Sequence, residues 1–359
     1  YGEMQASPDW LQWILDLPMA TDPGGEYSYS NANYHLAAGV LYEATGMTPL
    51  EFARRHLLGP LRIPDPIWEV DPQGIQWGFG GQMVRPTDLA KLGVAYLNGG
   101  DWHGRQVVSS EWATQATAGY PGPLPAGWPP EVSMGFGWSN NSELNMLGTA
   151  GSGGQYMRIL VDDEVVVVSV AGGGVAYGSC GRNGALIYDI LNDYLRSAVV
   201  SSSPLAPNPQ GAARLAAVVE SASQPFDGPP QPVPPLPSMA STISGVTFEF
   251  DADHVPLYSL TLSFPGGDEA MLEIHSSEVL NLRVGLDDVY RISYGEHGLP
   301  YAAKGGWLDD TRFALIFDQV ARWEALEMEL DFSGGVLTLT AREFSCDRDP
   351  ATFIGSPRS

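Results

Sequence analysis

The chain has 359 residues, 44% of them hydrophobic and 17% charged, which are the proportions of packed cores and not of a disordered polymer. Its formal net charge of −24, with a pI near 4.4, repels polyanions and argues against nucleic acid or an anionic membrane surface as a partner. No apolar run approaches the roughly 20 residues that cross a bilayer, so no transmembrane segment is expected, and the two cysteines, Cys180 and Cys346, set up no disulfide framework.

The chain opens at Tyr1 and passes at once into Ser7-Pro8-Asp9-Trp10, a helix start, so a signal peptide or anchor is expected only on an upstream piece. Trp10, Leu11, Ile14 and Leu15 recur at helical spacing and Pro18 closes the segment. From Asn33 to Ala44 the positions Leu36, Ala37, Val40, Leu41 and Ala44 form one face, with Ser30 or Asn31 as N-cap and Gly46 as the stop. Further helices are predicted over Thr48–Leu58, Pro86–Leu97 and Ser109–Ala118. After a proline-rich loop from Pro121 to Pro130, Gln155–Val161 and Val165–Ala171 read as a hairpin turning at Asp162-Asp163. The unbroken valines of the second strand predict a central strand with apolar neighbours on both faces. A long helix over Gly181–Val199 follows, so that residues 1–200 read as an α/β layered domain.

Residues 201–240 read as a linker, with a short Ala-rich helix near Ala212–Ser221 and six prolines between Pro229 and Pro237. Beyond it the apolar period becomes two: Val246/Phe248/Phe250, Leu260/Leu262/Phe264 and Leu326/Met328/Leu330/Phe332 alternate with polar residues, and Gly266-Gly267 and Gly334-Gly335 supply turns. Residues 241–359 are therefore expected to form an all-β antiparallel barrel of roughly eight strands.

Chemistry concentrates in two places. In Pro23-Gly24-Gly25-Glu26-Tyr27-Ser28-Tyr29-Ser30-Asn31, the phenol of Tyr29 and the carboxamide of Asn31 lie two residues apart at a loop-to-helix junction. A serine nucleophile needs an adjacent base and N–H groups aimed at the developing oxyanion. Tyrosine, with an ordinary pKa of about 10, serves as that base only beside a cation that stabilises its phenolate. Downstream, Thr149-Ala150-Gly151-Ser152-Gly153-Gly154-Gln155 places flexible backbone beside a strand. Ser152 is not the nucleophile of a Gly-x-Ser-x-Gly elbow, because Ala150 stands where the first glycine is required.

These two segments resemble motifs of the serine β-lactamase and penicillin-binding-protein superfamily, with Tyr29-Ser30-Asn31 similar to the Tyr-x-Asn element of class C β-lactamases and related esterases. Leu36-Ala37-Ala38-Gly39, Glu51-Phe52-Ala53-Arg54, Leu58-Gly59-Pro60-Leu61, Gly78-Phe79-Gly80-Gly81 and Arg85–Gly93 follow in the family's order across residues 1–200. The resemblance implies Tyr29 as base, Asn31 as a group orienting substrate amide or lysine, and Thr149-Ala150-Gly151 as the substrate strand. It also assigns the Ser152 N–H to the oxyanion hole. Thr149 departs from the pattern, having no charge where a lysine or histidine is usual, which favours an ester or amide without a β-lactam's carboxylate. The family's Ser-x-x-Lys is absent: the residues three places before the only lysines, Lys91 and Lys304, are Asp88 and Tyr301. The chain therefore reads as the later, N-terminally truncated part of such a hydrolase, inactive as given, with a β domain similar to the lipocalin-like domain that trails some of these enzymes.

The six histidines, His35, His56, His103, His254, His275 and His297, show no metal-ligand spacing and are expected at surfaces or interfaces. No metal and no cofactor is called for, since no Walker loop or dinucleotide fingerprint occurs. Trp102, Trp112, Trp128 and Trp138 lie near loops expected to rim a cleft, and Trp138 is a candidate substrate contact. The expected partner is a small ester, amide or peptide, and the resemblance implies a periplasmic or extracellular location. Two other readings stay open: a non-catalytic protein that binds a small apolar molecule inside the β domain, and a penicillin-binding or D-aminopeptidase-type hydrolase of cell-wall fragments.

Overall fold

The computed structural model describes residues 2–19, 22, 27–120, 124, 130–151, 154–170, 190–201, 203–223, 228–251, 257–276, 278–295, 298–320, 325–343 and 349–358. Ser152, the Pro23-Gly24-Gly25 run, Trp128, His254, His297, both cysteines, most of the Pro121–Pro130 loop and residues 181–189 of the long helix lie outside them. The chain divides into two compact units, Tyr1–Gly151 with Gln155–Val170, and Ser152–Gly154 with Ala171–Ser359.

The first unit begins with α1 (Gly2–Ala6), α2 (Trp10–Leu15) and α3 (Asn31–Thr45). Asp9 caps α2 by accepting the Gln12 N–H, and Gly46 ends α3 in the left-handed region at φ 67°. Helix α4 (Pro49–Ala53) starts with a capping box between Thr48 and Glu51, then widens into a π-helical turn over Arg54–Leu58. Two short ribbons follow, β1 (Ile67–Trp68) with β2 (Gln82–Met83), and, after α5 (Pro86–Leu97), β3 (Asp101–Trp102) with β4 (Arg105–Gln106).

Beyond α6 (Ser110–Thr117) lies an antiparallel meander of five strands: β5 (Val132–Met134), β6 (Ser139–Asn141), β7 (Met146–Gly151), β8 (Gln155–Leu160) and β9 (Val165–Ser169). The hairpin of β8 and β9 is where the sequence places it. The valine strand does not take the expected central place among the described strands, however. Among the described residues β9 is last in the sheet order and half-buried, and β8 carries the buried row. Its valines are explained by one close neighbour: α5 lies so near that a Cβ on Gly93 would stand 2.5 Å from Val166 Cγ1 and 3.0 Å from Met157 Sδ. Met157 and Ile159 pack there with Ala116 and Trp138, the helix-on-sheet layer expected.

In the second unit a π-helical stretch covers Ile190–Arg196, and α7 (Pro209–Ser223) is exposed along its length. The proline-rich stretch is not a free spacer. Gln231 N–H donates to Asp287 O at 2.8 Å, Val233 packs on the barrel core, and α8 (Ser238–Ile243) buries Ala240 and Ile243.

Ten strands follow: β10 (Thr247–Phe250), β11 (Ser259–Ser263), β12 (Glu269–His275), β13 (Val279–Gly285), β14 (Arg291–Tyr294), β15 (Pro300–Trp307), β16 (Arg312–Asp318), β17 (Ala325–Asp331), β18 (Leu337–Glu343) and β19 (Ala351–Pro357). Nine close into a barrel through a parallel bridge of β13 to β15 at Gly285 and Lys304, while β14 lies along Pro300–Ala303 of β15. Two strands beyond the expected eight lack an apolar stripe: in β14 only Ser293 is buried, its Oγ accepting the Arg283 N–H, and in β19 only Gly355. Inside, Phe248, Phe313, Phe317 and Phe332 join leucines from six strands in one buried cluster, as in small barrels filled by their own side chains.

Candidate active site

Tyr29 stands two residues before α3, whose N-cap, Ser30, has extended backbone and gives no side-chain cap. Of the two expected N-caps it is Ser30 that takes the place, and Asn31 is the first helical residue. The Tyr29 hydroxyl donates to Asn31 Oδ1 at 3.0 Å, and its ring lies 5.6 Å from that of Tyr34, one turn on. Three phenols meet here with different surroundings. Burial pushes Tyr34 up to about 12, aided by Tyr27 and Tyr29, and burial also raises Tyr27, which hydrogen-bonds Tyr34. Burial thus makes both phenols harder to ionise than an ordinary tyrosine. Tyr29 is the open one, 59% exposed.

A buried pair holds α3 near its start, one member of it a histidine expected at a surface or interface. His35 is fully buried, not at a surface, and its Nε2 lies 3.0 Å from Asp71 Oδ2. Asp71 Oδ1 accepts the N–H groups of Gln73 and Ile75, and the Gly78 N–H donates to His35 Nδ1 at 3.4 Å. The imidazole thus accepts at Nδ1 and donates at Nε2, a satisfied neutral tautomer. Trp10 closes over it edge to face at 5.3 Å. Gly78 is required because a Cβ there would stand 2.0 Å from Tyr34 O. His35 is one helical turn beyond Asn31, so the network clamps α3 and with it the Tyr29–Asn31 pair.

On β7 the backbone pairs Thr149 with Met157, Ala150 with Tyr156 and Gly151 with Gln155. Thr149 therefore faces the α5 layer, while Ala150 is exposed on the opposite face. The buried Arg158, on the Ala150 face, crosses to donate from Nη1 to Thr149 O at 2.5 Å, and its guanidinium lies 4.9 Å from the Tyr156 ring centroid. Arg158 and the His35–Asp71 pair escaped the sequence reading because isolated charged residues there look like solvated ones. The available signal was Gly148 beside Arg158, which leaves room for the side chain to cross. Tyr29 and Asn31 are in direct contact, and Thr149 and Ala150 make their contacts within the sheet. Ser152 is outside the described residues.

Trp138 is no cleft residue: it is 6% exposed, its ring 4.3 Å from Tyr96, whose phenol bonds both Trp138 and Trp112. Among the described residues no group of His, Cys, Asp and Glu is arranged to hold a metal ion, and no helix is long and apolar enough to cross a membrane.

Residues 2–176 match the family model described as Beta-lactamase. Over 96 residues the chain is 32% identical to the 6-aminohexanoate-dimer hydrolase of Paenarthrobacter ureafaciens, a match covering 26% of this chain and 24% of that protein. The chain thus spans about a quarter of the length of that curated relative. Among solved structures, an octameric penicillin-binding protein homologue from Pyrococcus abyssi is 14% identical with a TM-score of 0.41, covering 98% of this chain and 70% of that one. A β-lactamase from Mycobacterium bovis is 18% identical with a TM-score of 0.35, covering 42% and 58%. On the family match and the curated relative, the part of the chain that carries Tyr29, Asn31 and the Thr149–Gly151 strand belongs to the serine β-lactamase and penicillin-binding-protein superfamily.

Proposed function

We propose that this unit supplies the base and substrate strand of a serine hydrolase that cleaves linear amides or esters through an acyl-enzyme. The observation that carries the reading is the Tyr29 hydroxyl, exposed and bonded to Asn31 Oδ1 at 3.0 Å, beside two phenols that burial makes harder to ionise. Once the proton now donated to Asn31 Oδ1 has left and the lysine of a Ser-x-x-Lys segment stabilises the phenolate, Tyr29 takes the proton of the serine hydroxyl as that oxygen attacks the acyl carbon, and returns it to the leaving group. Asn31 holds the phenol in line. A linear amide is favoured over a β-lactam because Thr149 offers no cation to a substrate carboxylate, and because the relative from Paenarthrobacter ureafaciens is named for a dimer of 6-aminohexanoate.

The 359 residues contain no Ser-x-x-Lys, so in this reading the nucleophile and its lysine come from outside them, and the chain alone turns nothing over. A fluorophosphonate probe tests this: no serine of the chain should be labelled, and mass-spectrometric capture at Ser30 or Ser152 would overturn the assignment. The barrel as a carrier of a small apolar molecule is disfavoured by the buried aromatic and leucine side chains that occupy its interior.

A further inference from the structure

In this chain, acidic residues outnumber basic ones by 42 to 18, and several of the described guanidinium groups meet a carboxylate. Arg54 meets Asp65, Arg85 meets Asp88, Arg291 meets Glu269, Arg312 meets Asp309 and Arg358 meets Glu249. Arg62 and Arg105 do not follow this pattern. Among the described residues neither guanidinium has a hydrogen-bond or ion-pair partner, and neither does the imidazole of His103. All three line one cavity of about 530 Å³, together with Lys91 and Trp102, and no lining residue is acidic.

The walls are held in place by their own bonds. Lys91 Nζ lies 2.7 Å from Asp88 Oδ1 and donates to Arg62 O at 2.9 Å, which fastens α5 to the turn carrying Arg62. Asp88 is shared between Lys91 and Arg85, so it offsets Lys91 only in part, and the cavity's charge rests on Arg62 and Arg105 with a remainder from Lys91. Asp101, the nearest acid in sequence, turns Oδ1 to the Gly104 N–H at 2.9 Å. Arg62 and His103 both have left-handed backbone, at φ 52° and 53°; for His103 this follows from the two-residue turn with Gly104 that joins β3 to β4. Trp102 supports that turn, its ring 4.5 Å from the imidazole. At physiological ionic strength fields fade over about 8 Å, so these local cations, and not the net charge, decide what the cavity attracts.

We propose that this cavity is an anion site, on elements other than those carrying Tyr29, that takes a small polyvalent oxyanion bearing phosphate or carboxylate groups, with Arg62 and Arg105 as its direct donors. Guanidinium forks match such oxygens two at a time, and an oxyanion would supply the partners that the chain's own carboxylates do not.

Isothermal titration of the full 359-residue chain with inorganic phosphate, and separately with citrate, at ionic strength held constant with chloride, tests the proposal. At least one anion should bind saturably at one site per chain; phosphate alone or citrate alone identifies which oxygen chemistry is preferred. Arg62→Gly removes the side chain while keeping a residue at ease with φ 52°, and Arg105→Gln removes the second charge. Each should weaken binding about tenfold or more, while Arg214→Ser on the exposed α7 should leave it unchanged. Absence of saturable heat with both anions would overturn the site, and so would equal weakening by Arg214→Ser, which would mark a general charge effect.

Discussion

The Tyr29 hydroxyl donates to Asn31 Oδ1 at 3.0 Å, so a phenol outside α3 is oriented by the first residue inside it. In a protein that carries a Ser-x-x-Lys segment ahead of these residues, Tyr29→Phe should lower kcat about a hundredfold or more with an unchanged melting temperature. Asn31→Ala should cost less, since it loosens the base without removing it. Full turnover of a simple acyl ester by Tyr29→Phe would return Tyr29 to the role of a turn residue.

Loss of the imidazole at His35 leaves Oδ2 of the buried Asp71 carboxylate without its Nε2 donor. His35→Leu, which leaves a buried carboxylate oxygen unsatisfied, should destabilise the first unit by about 3 kcal/mol or more, whereas Asp71→Asn, which keeps an oxygen for the Gln73 and Ile75 N–H groups, should cost about 1–2 kcal/mol. Thermal unfolding followed by near-ultraviolet circular dichroism reads both, and equal small effects would remove the clamp from the argument.

Gly78→Ala puts a methyl 2.0 Å from Tyr34 O, so either α3 or the Gly78 loop must retreat. A loss of about 1–3 kcal/mol is expected. Gly46→Ala, with no atom within 4 Å but φ 67°, should instead show only the smaller cost of left-handed backbone. If the two variants melted alike, the close approach would not be a constraint.

In the barrel, Arg291 binds Glu269, Asp268 and Asp287, and hydrogen bonds from Arg283 and Arg291 hold Glu269 below the usual carboxylate range, as those from Arg291 do Asp287. A carboxylate lowered in the folded state contributes stability above its unfolded pKa of about 4, and that contribution is lost as pH falls through the folded value. Stability should therefore fall below about pH 4, and Arg291→Met should weaken the protein at pH 7 while flattening that acid limb. An unchanged slope in Arg291→Met would assign the limb to other groups.

The barrel should fold by itself and owe part of its stability to the proline strap. A polypeptide of residues 228–359 keeps the Gln231 bond to Asp287 and the packing of Val233, and should melt cooperatively. One starting at Ser241 loses both and part of α8, and should melt lower. Equal melting points would make the strap a bystander.

Local chemistry determined much of this protein in advance. The caps at Asp9, Thr48 and Gly46, the period-two rows of Phe248/Phe250 and Leu260/Leu262, and the Tyr29-Ser30-Asn31 junction act over a few residues, and such signals survive in sequence alone. The tertiary structure decided the rest. It put Val165–Ser169 last in the sheet order among the described residues, with α5 packed against Val166, and through backbone pairing without an apolar stripe it drew β19 into the barrel and laid β14 along β15. It laid the Pro229–Pro237 stretch against the barrel through Gln231 and Val233. His35 met Asp71 across 36 positions, and Arg62 came beside Arg105 across a cavity, neither with any periodic trace. A buried polar pair or a cluster of unpaired charges is a relation between distant residues, and only the closing of the fold supplies the partner or withholds it.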